Sequence, residues 1–511
     1  MLRRVPLLPV ALVSVLVIAV TWWIDDRGDV TAGGELAVGE DGEVIVEADG
    51  DSDPTTTTTT LPPFEGWSDP RLAGQPYPGA TVEGVLTFRG NPTRSYHGAG
   101  PVPVDPAIAF RYPAQGGLCG ESTNLGETKV WCGLGWTGQP AVFERDGRTW
   151  AVFGAYDGAV HFLDADTGER LLPPFPTGDL IKGSVTVDPD GFPLVYTGSR
   201  DDRYRILSIQ GDEAVELWSM NADDFSPVLW NDDWDSSAIV IDDHLFVGGE
   251  NSRFIGLRLN RGTTPDGTVT VDPQVVMDVA SWDAELLAAL GDETVSVEVS
   301  PTVVGDTVYF TNSGGLVQGW DIGGLADGVP PERTFRFWMG DDTDASIVAD
   351  ADGMLYVAAE YERAATAERA QAVGQLVKLD PSAPDPLVWS WSDADVRPGG
   401  IWGTPAVVDG VVYAATNGGE LVAVAADDGR ELWSKRLPGP LWASPVVVDD
   451  VLLLGDCDGG FHAFDLQPGG AEATERWSID LGGCIEATPV VWEGRILVGS
   501  RDGALYSIVE A

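Results

Sequence analysis

Apolar and polar residues alternate along most of the chain in short runs, each bounded by Gly, Asp or Asn turn signals. A period of two is that of a β-strand with one buried face. The clear helical exception is "WDAELLAAL" (282–290), which predicts a single helical insertion. The runs recur as copies of one unit, beginning "WTGQPAV" (136), "IKGSVTV" (181), "WDSSAIV" (234) and "VEVSPTV" (297). Further copies begin "TDASIVA" (343), "IWGTPAV" (401), "LWASPVV" (441) and "IEATPVV" (485). A second run such as "VVYAATN" (411) follows each start, then a Gly-rich hairpin turn and a third run such as "ELVAVAA" (420). The better copies close on a fourth run ending in "ELW" or "ERW".

Four strands per unit and eight units predict an all-β, eight-bladed β-propeller spanning 105–511. Units 234–280 and 343–391 depart most from the pattern. The last copy stops after three strands, whereas "AIAFRYP" (107–113) lies unused ahead of the first. Its Phe110-Arg111-Tyr112 stands where other copies carry Leu432-Trp433 or Arg476-Trp477. Pairing it with the C-terminal strands closes the ring and removes two open sheet edges.

The N-terminus departs from this pattern. Arg3 and Arg4 precede an uncharged apolar stretch, 5–24, followed by Asp25 and Asp26. Its length suits a bilayer core of about 30 Å, and the basic end predicts a cytoplasmic tip. The expectation is an uncleaved single-pass anchor in the cell membrane, with the remainder extracytoplasmic. Residues 25–63 are acidic and end in a Thr run and Leu61-Pro62-Pro63, which predicts a disordered spacer. Residues 64–104 form a lead-in to the propeller.

Formal charge is −50, from 80 acidic and 30 basic residues, which excludes a nucleic-acid partner. The acidity lies mostly in the repeat region. Cysteines number four, an even count suited to disulfides in an exported chain. Cys119 with Cys132 and Cys457 with Cys484 is the favoured pairing. Cys457 ends a second strand and Cys484 opens a first strand, and these ends share one face of a propeller. No CxxC spacing supports zinc.

The copies "FLDADTGERL" (162–171) and "AVAADDGRELW" (423–433) resemble the repeat of the PQQ-like (quinoprotein dehydrogenase-like) β-propeller family. "FRGNPTRSYHG" (88–98) resembles the lead-in of its non-catalytic members. The resemblance implies a propeller in which Trp218, Trp389, Trp433 and Trp477 dock adjacent blades. The family holds both quinone- and Ca²⁺-dependent alcohol dehydrogenases and scaffolds without a quinone. "NDDWD" (231–235) is similar to a dehydrogenase segment that would put Trp234 and Asp235 beside the quinone, with Trp402 or Trp442 as its stacking floor. The adjacent Cys pair of those enzymes has no counterpart here.

First strands begin beside the axial channel, so the second residue of each copy forms a ring: Thr137, Lys182, Asp235, Glu298, Asp344, Trp402, Trp442 and Glu486. Two residues on stand Gln139, Ser184, Ser237, Ser300, Ser346, Thr404, Ser444 and Thr488. The second layer is regular, which predicts a structural circuit of hydroxyl hydrogen bonds. The first is irregular, with carboxylates beside Trp, the equipment of a sugar or cationic-ligand site and equally of a hydrated channel mouth. Asp232, Asp233, Asp235 and Asp341, Asp342, Asp344 are weak candidates for a Ca²⁺ site, since oxygen donors suit hard cations. The scattered histidines carry no metalloprotease spacing. The reading is a monomeric, membrane-anchored scaffold or binding module for an envelope protein or glycan, without a cofactor of its own. A PQQ- and Ca²⁺-dependent dehydrogenase and a carbohydrate-active protein are the alternatives.

Overall fold

The computed structural model describes residues 62–511 apart from 125, 136–137 and 394–397, with three short strands ahead of them. Those strands, Leu36–Val38, Glu43–Val46 and Thr59–Thr60, pair antiparallel in a small sheet of their own. They fall where composition predicts an unstructured spacer; Val44, Ile45 and Val46 are β-branched and favour a strand. The apolar stretch 5–24 lies outside the described residues. Among the described residues, no helix is long and apolar enough to cross a membrane.

Gly66–Ala511 forms the second unit of the chain, built of eight antiparallel blades. The first contains Ala141–Arg145, Arg148–Ala155, Ala159–Asp164 and Arg170–Pro176, in that order from the axis outward. The eighth contains Val490–Trp492, Arg495–Ser500 and Ala504–Glu510, completed by Pro106–Tyr112. Tyr112 stands opposite Leu505 and Phe110 opposite Ser507, so the N-terminal strand closes the ring as its pattern predicts.

The irregular copies owe their irregularity to insertions. The third blade carries an extra hairpin, Gly262–Thr263 with Val269–Thr270. The fifth carries a second helix, Ala367–Val373, beyond the single one expected. It is short, and Thr366 ahead of it makes no side-chain cap. The expected helix, Ala284–Leu290, has both signals: Asp283 accepts from Leu286 N–H and Gly291 ends it in the left-handed region.

The repeat motif can be read as a blade joint. Trp389 Nε1 donates to Ala426 O of the next blade at 3.0 Å, and Trp433 Nε1 donates to Gly470 O at 2.8 Å. A Cβ at Gly429 would lie 2.7 Å from the Trp389 ring, and one at Gly168 would lie 2.8 Å from Phe110. The motif glycine is therefore the seat for the neighbouring blade's aromatic ring. Phe110 of the closing strand fills this role at the eighth joint.

The lead-in does not flank the propeller; it plugs it. Gly84–Val85 pairs with Ala141–Arg145 as an extra innermost strand. Val187 N–H donates to Leu86 O, Val303 N–H to Pro92 O, and Ala349 N–H to Thr93 O. Thr87 bonds Ser237 and Ala238, Arg89 donates to Thr404 O and Pro405 O, His97 meets Val447, and Gly98 bridges Val491. One segment thus touches the inner strands of all eight blades.

Gly429→Ala should destabilise the propeller by about 2–4 kcal/mol, from overpacking against Trp389 added to the strain at φ +74°. Gly267→Ala, at φ +87° with nothing within 4 Å, supplies the strain alone. Urea denaturation of both variants measures the difference. Equal losses would show that the glycine serves only its turn.

Candidate functional site

First strands start, and second strands end, at the end of the channel opposite the plug. The hydroxyl layer forms the expected circuit. Gln139 N–H donates to Ser184 Oγ, Ser237 to Ser300, Ser300 to Ser346, Ser346 to Thr404 and Thr404 to Ser444, at 2.8–3.1 Å. Above this layer lies a blind well, floored by the circuit and the plug.

One side of the well is built around a lysine, although burial still pushes the Asp235 carboxyl well above its usual range. Lys182 Nζ is ion-paired with Asp235, lies 2.7 Å from Glu250 Oε1 and 3.7 Å from Asp233. Asp233 also pairs with Arg200, and Asn231 donates to Glu250 at 2.7 Å. Burial alone would favour loss of the Lys182 proton, but Asp235, Glu250 and Glu298 raise its affinity well above the usual value. Glu298 accepts from Ser296 at 2.8 Å and Ser313 at 3.3 Å. Burial, then Glu250 and Asp344, push its carboxyl up to about 8.

Among the described residues, the carboxylates of the other side form no ion pair. Asp342, Asp344 and Glu360 bring one oxygen each to within 4.8 Å of one another. Burial and the neighbouring carboxylates push Glu360 up to about 12, and burial carries Asp344 to about 6 against the Trp402 and Glu360 hydrogen bonds. The Trp402 indole N–H donates to Asp344, and Trp402 meets Trp442 edge-to-face, centroids 5.0 Å apart at 84°. Further round, Glu486 accepts from Tyr156 at 3.1 Å and Arg501 at 2.7 Å, and Arg501 lies over Trp131 and Tyr156. A cavity of about 390 Å³ opens there, lined by Val130, Cys132, Trp442, Cys484, Glu486 and Arg501.

The ring positions chosen from sequence therefore share one well, except Thr137, which lies outside the described residues. The two acidic loops behave differently from their shared spelling. Asp341 is spent on the backbone N–H groups of Asp342, Glu362 and Arg363, and Asp232 faces Asp202 rather than the Lys182 group. Two carboxylates missed by sequence reasoning, Glu250 and Glu360, complete the clusters. Both follow second strands, His244–Gly248 and Leu355–Ala358, which end beside the well. The strand-end rule that pairs Cys457 with Cys484 would have found them. Both disulfides form as expected, Cys119–Cys132 and Cys457–Cys484, on this face. Oxygen donors of the Asp342–Asp344–Glu360 group are of the kind a hard cation takes; the Asp235 group already holds an ammonium.

Residues 374–472 match the family model described as outer membrane protein assembly factor BamB. The match covers these residues alone, and the chain folds as an eight-bladed β-propeller. It is similar to quinohemoprotein alcohol dehydrogenase from Comamonas testosteroni, at 14% identity over 83% of this chain and 80% of that one, TM-score 0.55. The computationally designed Ika8 protein matches at 14% identity over 74% of this chain and 99% of its own, TM-score 0.51. BamB from Moraxella catarrhalis matches at 16% identity over 71% and 82%, TM-score 0.35. At such identities the likeness concerns fold alone. No curated protein matches the chain.

Lys182→Met leaves Asp235 and Glu250 buried without their cation and should cost the propeller about 3–5 kcal/mol in urea denaturation. A loss below about 1 kcal/mol would show that the ammonium does not hold that wall. Asp344, Asp233 and Glu298 are raised to about 6, 7 and 8. The folded state then binds more protons than the unfolded one from about pH 4 to 8, so stability falls as pH rises through that window. Glu298→Gln removes its share, and its stability should decline less steeply with pH than that of the wild type. Parallel slopes would place the Glu298 proton affinity in the ordinary range.

Proposed function

We propose that this PQQ-like propeller is a non-catalytic binding and scaffold module of the cell envelope. Residues 5–24 anchor it in the membrane, and the propeller stands outside the cytoplasm. Its partner is an envelope protein or glycan, met at the disulfide-bonded rim of the well. The observation that carries this reading is that the residues an enzyme of this family would use are already committed to structure. Trp234 is buried in blade packing against Tyr204 and Phe225, with its indole N–H on Asp202 O. Asp235 is held by Lys182. Trp402 and Trp442 stand edge-to-face and present no flat floor, so these residues do not fit a planar quinone lying between them. The family model's description, an assembly factor, points the same way.

Two measurements on the full chain test the reading. A photo-reactive residue at exposed Val130, on the rim, should capture an envelope partner in intact cells, whereas one at exposed Val388, on an outer blade strand, should not. Equal labelling would remove the rim from consideration. Thermal unfolding with saturating PQQ and Ca²⁺ should show no shift. Binding at a hundred times the dissociation constant would contribute about 2.7 kcal/mol and raise the midpoint by about 3 °C. Such a rise, lost in an Asp235→Asn, Asp344→Asn variant, would overturn the scaffold reading in favour of a quinoprotein.

A further inference from the structure

Two arginines of the plug, Arg89 and Arg94, are fully buried in the axial channel. Both sit in the left-handed backbone region, at φ 55° and 57°, which side chains of this size rarely adopt. Neither forms an ion pair with a carboxylate among the described residues. Burial depresses both to about 9, with Tyr77 and Tyr204 acting weakly against it at Arg94 and nothing doing so at Arg89.

The pair differ in one respect. Arg94 is satisfied: Nε donates to Pro301 O at 2.7 Å, Nη1 to Phe88 O at 2.7 Å and to Thr87 at 3.1 Å, and Nη2 to Ser237 O at 2.9 Å. Arg89 donates to Thr404 O and Pro405 O through Nη2 alone. Its Nε and Nη1 are buried with no acceptor. Its backbone N–H is fixed to Gln139 Oε1 of the first blade at 2.7 Å, so the side chain crosses the channel from there to the sixth blade. The eighth blade lies on the shorter arc between, and there the hydroxyl circuit breaks. Thr488 Oγ1, also fully buried, has no partner.

A buried donor without an acceptor is rare, and a buried charge without a counter-charge is rarer. We propose that Arg89 holds a small anion of halide size in the channel, bound at Nε and Nη1, with the Thr488 hydroxyl on the same layer. A water molecule would accept the two N–H groups but leave the guanidinium charge uncompensated. Arg89 has no solvent-exposed surface, so a larger anion could not enter without opening the plug. This inference concerns the channel interior and stands apart from the partner-binding rim.

The test uses the full chain in chloride-free gluconate, titrated with bromide at constant ionic strength. Bromide should raise the thermal midpoint saturably, by about 3 °C at a hundred times its dissociation constant. Arg89→Gln should abolish the rise, whereas Arg258→Gln, at an exposed position, should keep it. If the Arg89 variant does not fold, anomalous diffraction from wild-type crystals grown in bromide decides the matter. A bromide peak in contact with Nε and Nη1 supports the site. An ordered water or empty density there, or a wild-type midpoint indifferent to bromide, overturns it.

Discussion

Every inner strand of a closed propeller turns one row of backbone N–H and C=O groups toward the axis. Those groups must find partners or leave the ring unstable. In most sheets the next strand supplies them; on the axis of a propeller there is none. This chain meets the constraint in two layers. The hydroxyl circuit, Ser184 through Ser444, takes the N–H groups near the well. The lead-in segment takes groups further down, on Val187, Val303 and Ala349. The well is a consequence of this arrangement, because a channel filled from one end leaves a blind opening at the other.

Ring closure follows the same economy of partners. The outer-strand ring of Trp389 rests on Gly429 of the next blade, and the last joint borrows Phe110 from the chain's beginning to rest on Gly168. The lead-in and the closing strand are contiguous, so a single stretch, 84–112, both closes the ring and fills its axis. The two tasks cannot be separated by truncation without exposing either a sheet edge or a row of unpaired backbone groups.

The fold was largely legible in the sequence because its signals are local and repeated. Strand alternation recurs through eight blades, hairpin glycines and Trp endings mark the better copies, and the missing fourth strand announces its replacement. The plug was not legible. "FRGNPTRSYHG" has neither a helical nor a strand period, and its bonds run to residues such as Thr404 and Pro405, far along the chain. The ring of Lys182, Asp235, Glu298, Asp344, Trp402, Trp442 and Glu486 was legible as a ring, since repeat register fixes height in the channel. How its charges divide was not. That depended on Glu250 and Glu360, which belong to a different strand end. Only their burial beside Lys182 and Asp344 decides which carboxylates are paired.

That division carries the functional weight. On the Lys182 side, Asp235, Glu250 and Asp233 face an ammonium and Arg200, so an incoming cation would have to compete with charges already in place. On the Asp344 side, carboxylates face one another, and their mutual repulsion is relieved by protonation, which holds Glu360 near 12. A group that keeps a proton for want of a counter-charge is the group that an approaching cation can displace it from. Trp402 and Trp442 border that side, and the open cavity at Glu486 continues from it. The two walls therefore differ: one is built around an ammonium, and the other is a cluster of carboxyl groups that keep protons beside aromatic rings. The first wall ties Lys182 of the second blade to Asp235 and Glu250 of the third.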